Sequence, residues 1–149
     1  HTTKWIQEIA EDSDEISVNP MNIQKRTIVD RIFRNREYRP PWLWSLVQMI
    51  RNVHDDIHPE GESSRSRLIV HPTAAGSVRG AHNCGRCDKE VAAAIERYSV
   101  SGSLLEFEGL SCECESQWKA EIDLDTSLPI PLGSGIDRRL DPIEALLSP

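Results

Sequence analysis

What this 149-residue chain lacks narrows its identity first. No run reaches the roughly 18 apolar residues of a membrane-crossing helix, so no membrane partner is expected. The opening residues do not have the basic-then-apolar pattern of a secretion signal. No glycine-rich phosphate loop follows a strand candidate, and no serine, histidine and acid group into a nucleophile constellation. No catalytic residue is therefore assigned, and a non-enzymatic protein is expected. There are no internal repeats and no low-complexity tract. Hydrophobic residues make up only 38% of the chain, a modest supply for a self-sufficient core.

Cysteine is scarce too, but its placement is informative. The four cysteines form two tight pairs, Cys84-Gly85-Arg86-Cys87 and Cys112-Glu113-Cys114. Thiols one or two residues apart can bite one ion, and two such bites close a tetrahedral shell. Zn²⁺ with four thiolates at about 2.3 Å fits this pattern, and a closed shell implies a structural ion. The spacing predicts one structural zinc held by Cys84, Cys87, Cys112 and Cys114, with His82 able to replace a thiol. Clustered thiols without a secretion signal predict an intracellular setting, cytoplasm or nucleus, rather than disulfides.

The net charge of −7 hides strong asymmetry. Residues 19–51 carry seven Lys or Arg against Asp30 and Glu37, while residues 84–125 carry four basic and ten acidic residues. Lys25, Arg26, Arg31, Arg34, Arg36 and Arg39 are candidates to meet nucleic acid or an acidic partner. Phe33, Tyr38, Trp42 and Trp44 interleave with them, as in proteins that stack on bases of RNA or single-stranded DNA. The plainer alternative makes those aromatics core and the charges a solvated face. The acidic 84–125 region of a second copy would also complement the basic segment, so a homo-oligomer is a further possibility. Trp5 and Ile9 near the start, and Ile143, Leu146 and Leu147 near the end, have the spacing of helical docking motifs.

Periodicity predicts an amphipathic helix over 3–16, a helix starting at Asn19-Pro20, and a helix from Pro41 to about His54–Ile57. Leu68-Ile69-Val70 reads as a short strand, and Asp88 caps a helix over Lys89–Tyr98. Leu104–Phe107 and Trp118–Leu124 alternate enough to be strands. Proline and glycine after Asp125 read as a linker.

His54 and His58 stand four apart with acids between them, a spacing that can hold a metal on one helix face. Asp55-Asp56-Ile57-His58-Pro59 followed by His82-Asn83-Cys84-Gly85-Arg86-Cys87 resembles, in order, the HNH-type nucleases. That resemblance covers about 35 residues. It would imply His58 as a metal ligand and would put Asp56 where the family carries its general-base histidine.

The sequence thus predicts an α+β protein in three parts. Residues 1–58 are a helical region with the basic segment, 67–125 a small zinc-stapled β/α unit, and 126–149 an extended C-terminal arm. Its expected function is that of a zinc-stabilised regulatory or interaction protein binding a protein partner, in the general style of viral accessory factors. The alternatives are an RNA or single-stranded DNA binder using residues 25–44, and an HNH-like metal-dependent nuclease.

Overall fold

Proline frames the longest helix. Pro40 and Pro41 disfavour helical backbone before them, and α3 (Leu43–Ile57) begins directly after this pair. Leu43, Leu46, Val47, Ile50, Val53 and Ile57 recur every three or four residues and are all buried. α4 (Asp88–Ser101) presents Val91, Ala94, Ile95 and Tyr98 to the same core. The Tyr98 ring stacks on Phe107 of a 3₁₀ turn (Leu104–Phe107), with centroids 5.5 Å apart. Gly102 ends α4 in the left-handed conformation at φ 67°, and its N–H donates to the Tyr98 carbonyl at 2.7 Å.

The structure, a computed structural model, describes residues 2–58 and 66–127. Around that core lie α1 (Thr2–Ile9), β1 (Glu15–Val18), α2 (Ile28–Arg34), β2 (Arg67–Val70) and α5 (Cys114–Ser127). The fold mixes helices with a two-stranded parallel sheet, β1 beside β2, in register Ile16 to Leu68 and Val18 to Val70. Ile16, Leu68 and Val70 are buried while Glu15 and Arg67 face outward, the period-two pattern of a half-buried sheet. The Ser99 hydroxyl pins β2 to α4. It accepts from the Val70 N–H at 2.9 Å and lies 3.0 Å from the Val70 carbonyl.

The chain divides into two compact units, residues 1–112 and 113–149. The first holds α1–α4 and both strands. In the second, α5 is supported along its own surface by a Glu115–Lys119 ion pair at 2.7 Å and a Gln117–Glu121 bond at 3.2 Å.

Several sequence expectations are corrected. The predicted helix over 3–16 stops at Ile9, because the acidic run after it opposes the helix dipole and residues 15–18 gain a sheet partner instead. The helix expected from Asn19-Pro20 starts at Thr27, whose hydroxyl accepts from the Asp30 N–H at 3.1 Å. The predicted strand over 104–107 is the 3₁₀ turn, capped by the Ser103 hydroxyl accepting from the Leu105 N–H at 3.3 Å. The predicted strand over 118–124 is part of α5, where same-face polar pairs four residues apart favour helix over alternation. The helix from Pro41 and the strand at 67–70 agree with expectation, and the helix expected over Lys89–Tyr98 forms, but Cys87 rather than Asp88 is its N-cap and Asp88 is its first residue.

Candidate metal centre and its surroundings

The residues around the first cysteine pair build a tight turn before they build a site. Gly85 lies at φ 88°, a backbone conformation that glycine adopts without strain. The buried Asp88 carboxylate holds that turn, accepting from the Asn83 N–H at 2.9 Å and the Gly85 N–H at 2.6 Å. Asp88 thus braces the cysteine turn, while Cys87 occupies the N-cap position of α4.

The four sulfurs converge. The Sγ atoms of Cys84, Cys87, Cys112 and Cys114 all lie within 4.8 Å of one another. Cys84 is 4.0 Å from Cys87 and 3.7 Å from Cys112. Those separations are about twice the roughly 2.05 Å of a disulfide. They match the edge of a tetrahedron, about 3.8 Å, that four sulfurs form around an ion at about 2.3 Å. The thiol-only donor set fits a soft or borderline cation. His82 stands apart from this group, its Nδ1 2.8 Å from the Gly80 carbonyl.

Asn83 links this centre to the core. Its Nδ2 donates to the Cys87 sulfur at 3.3 Å, and its Oδ1 accepts from the Trp44 N–H at 3.3 Å. Trp44 lies in the first turn of α3, whose N-cap residue Trp42 makes no side-chain cap bond. Asn83 therefore caps α3 from outside the helix and steadies a ligand sulfur at the same time. The loop before it is equally constrained. A side chain at Gly80 would place a Cβ 2.3 Å from the Ala74 carbonyl oxygen, so only glycine fits. The Ile23 N–H donates to the Arg79 carbonyl at 2.8 Å, and the His82 N–H to the Pro41 carbonyl at 3.1 Å.

The basic segment divides. Arg34 and Arg79 both pair with the buried Asp30 at 2.8 Å, and Arg79 also lies over the Phe33 ring at 5.4 Å. The Arg26 N–H above all, then Arg79 and Arg34, hold the Asp30 carboxyl down at about 2. Arg39 stacks over Trp42 at 3.7 Å and donates to the His82 carbonyl at 3.2 Å. Lys25, Arg26, Arg31 and Arg36 are exposed. Trp42 and Trp44 are buried core residues, 8% and 5% exposed, so the expectation that they stack on bases is corrected. Trp5 and Ile9 are exposed, at 68% and 45%. Ile143, Leu146 and Leu147 lie outside the described residues.

The histidine pair has a structural explanation. The His54 and His58 rings lie 4.7 Å apart, and His54 Nδ1 is 3.3 Å from the Tyr98 hydroxyl. Burial pushes that hydroxyl up to about 12, so it stays protonated. Burial, and then the His54 charge, lower His58. The Asp56 carboxylate takes a hydrogen bond from Gln7 at 2.8 Å. Among the described residues, the cysteine cluster alone groups three or more ligands for a metal. The nuclease-type arrangement of Asp56 and His58 is therefore corrected.

A cluster of four thiols that could hold a metal ion, on a body that mixes helices with a small parallel sheet, defines the class. Comparison with known proteins places it more narrowly. The chain is 36% identical over 120 residues to "Archaeosine synthase subunit beta" of Methanosarcina acetivorans, covering 80% of this chain and 33% of that protein. It is 36% identical over 108 residues to the Thermococcus kodakarensis protein of the same name, covering 72% of this chain and 32% of that protein. An uncharacterised protein of Methanocaldococcus jannaschii is 28% identical over 121 residues, 79% of this chain and 31% of that protein. The chain thus spans about a third of the length of the curated relatives it matches. No family model matches it, and neither does any solved structure.

These relatives correct the functional expectation. Two carry the name of an enzyme subunit, which overturns the reading of a regulatory or interaction protein in the viral accessory style, stands against the non-enzymatic expectation, and overturns the nuclease reading as well. Among the described residues, no helix is long and apolar enough to cross a membrane. Sequence reasoning missed Asn83, the bracing of the cysteine turn by Asp88, and the Asp30–Arg79 pair. Asn83 and Asp88 flank the Cys84–Cys87 pair, and that adjacency to a metal motif was the available signal. Nothing local in the sequence links residue 30 to residue 79.

Proposed function

We propose that this chain is a zinc-stapled module of an archaeosine-synthase-type subunit, working within an enzyme assembly that modifies tRNA. The similarity at 36% identity over 80% of the chain carries this reading. Cys84, Cys87, Cys112 and Cys114 would hold one Zn²⁺, which when bound supplies a rigid cross-link and a charge that offsets the four thiolates. A closed four-thiolate shell leaves no coordination position for substrate, so no catalytic step is assigned to the ion. Residues 1–58 would offer the basic segment, Lys25 to Arg39, to tRNA. Residues 67–125 would form the stapled part, and residues 126–149 an arm. Trp5 and Ile9, with Ile143, Leu146 and Leu147, would dock on a companion protein of the assembly.

The test is a graft. The Methanosarcina acetivorans relative would have its matching third replaced by this chain, and archaeosine in tRNA would be counted by nucleoside mass spectrometry. Retained product that disappears when Cys84 and Cys87 are changed to serine supports the reading. A correctly folded, zinc-loaded graft that makes no product removes it.

A further inference from the structure

The basic segment looks uniform in sequence, but its members are spent differently in the fold. Arg34 neutralises Asp30, and Arg39 is held by Trp42 and by the carbonyls of Pro40 and His82. Lys25, Arg26, Arg31 and Arg36 are exposed, and their side chains have no hydrogen bond or ion pair among the described residues. Two of these four are also held in a costly backbone conformation. Arg26 lies at φ 67° and Arg36 at φ 61°, flanking α2 on either side. Each position suits glycine, because a Cβ there crowds the neighbouring backbone and strains any other residue. A long cation kept where glycine would relieve strain points to a use for the side chain. Backbone polar groups already explain the turns themselves: the Arg26 N–H donates to Asp30 at 2.9 Å, and the Arg36 N–H to the Phe33 carbonyl at 2.9 Å.

We infer that Lys25, Arg26, Arg31 and Arg36 are the RNA-contacting cations of this module, and that they grip the phosphate backbone of a folded RNA rather than its bases. This rests on the tRNA reading above and goes further in assigning the residues and the mode. The mode follows from the aromatics. Trp42 and Trp44 are buried in the core, Phe33 is half-buried under Arg79 and Tyr38 is half-buried, so none of the segment's four aromatics stands fully exposed as a stacking platform for unpaired bases. Cations without stacking partners read charge and groove shape, not sequence.

The experiment is a salt titration of the full chain on a folded tRNA transcript, followed by fluorescence anisotropy. R26G/R36G is expected to melt at the same temperature as the parent or higher, because glycine relieves both left-handed positions. It should nonetheless lose about 1.4–1.8 from the slope of log K against log salt, or about 25- to 60-fold in affinity at 0.1 M salt. K25E/R31E should weaken binding further. K4Q/K119Q removes two exposed cations elsewhere and should leave affinity within about twofold, which separates local contacts from net charge. If R26G/R36G binds tRNA as the parent does, this assignment falls while the tRNA reading stands. If the parent chain itself does not bind tRNA at low salt, the reading of function fails. Preference for an unstructured homopolymer RNA over a duplex overturns the phosphate-backbone mode. Equal retention by polyglutamate would assign the surface to an acidic protein instead.

Discussion

The α3–α4 core and the cysteine turn beside it are held by opposite kinds of force. The core is apolar: Leu43, Ile50, Val53, Ile57, Ala94 and Ile95 are all completely buried. Its stability comes from area removed from water, about 1.5–3 kcal/mol for each large side chain. The turn around residues 79–88 buries little of that kind. It is fixed by directed bonds from Asn83, Asp88 and Arg79, and by the convergence of four sulfurs. Dispersed burial tolerates a lost contact by degrees, whereas a directed network depends on each of its few members. The two regions should therefore fail independently and by different routes.

Four experiments would break or sharpen that contrast. Metal removal should have the largest effect. In small zinc-stapled units about 10–16 kcal/mol of binding free energy is also folding free energy. Chelation, or C84S/C87S, is expected to abolish amide protection over residues 83–88 while α3 keeps its own. Unchanged protection at 83–88 would show that no ion staples this turn.

Ile50→Ala probes the other side. A fully buried isoleucine cut to alanine in a close-packed core should lose about 2–5 kcal/mol in denaturant unfolding. Zinc stoichiometry by native mass spectrometry should stay at one per chain. A core variant that sheds zinc at native conditions would mean the two regions are one cooperative unit.

Asn83→Ala sits at the seam and should show a smaller, double effect. Loss of the cap on Trp44 should cost about 0.5–2 kcal/mol of stability. Loss of the bond to the Cys87 sulfur should weaken metal affinity about 10- to 100-fold. Asn83→Asp should weaken it further, since a carboxylate would face a thiolate cluster. Stability and affinity that both match the parent would remove Asn83 from either role.

The smallest effect is a pH dependence. Asp30 lies at about 2 in the fold against 3.8 for the free side chain. The unfolded chain therefore takes up its proton first as pH falls. The stabilisation is complete above about pH 4 and is lost as pH drops from 3.8 toward 2. In D30N that segment of the stability–pH curve should flatten, with the neutral-pH melting temperature lowered because Arg79 loses its partner. A D30N curve parallel to the parent's through this window would refute the assignment.

Much of this was legible in the chain itself. The stripe from Leu43 to Ile57 after two prolines specified α3, because a 3.6-residue period and a proline boundary are local signals. The spacing of the four cysteines specified that their sulfurs would converge, because two tight pairs can close on one point before any fold is known. Local signals misled where pairing was distant or the period weak. Residues 15–18 became a strand only because residues 67–70 lie beside them, and residues 118–124 became helix although their apolar residues alternate.

By itself, then, the sequence determined which cysteines cluster, the main core helix and the presence of a basic block, since each is written in residue type and near-neighbour spacing. Tertiary structure alone decided how that block is divided. Arg34 and Arg39 are engaged by Asp30, Trp42 and the His82 carbonyl, while the exposed side chains of Lys25, Arg26, Arg31 and Arg36 have no such partner among the described residues. It also decided that Asn83 caps a helix begun 40 residues earlier. The physical reason is the same in both cases: a charge or an amide is defined by its partner, and these partners meet only when the chain has folded.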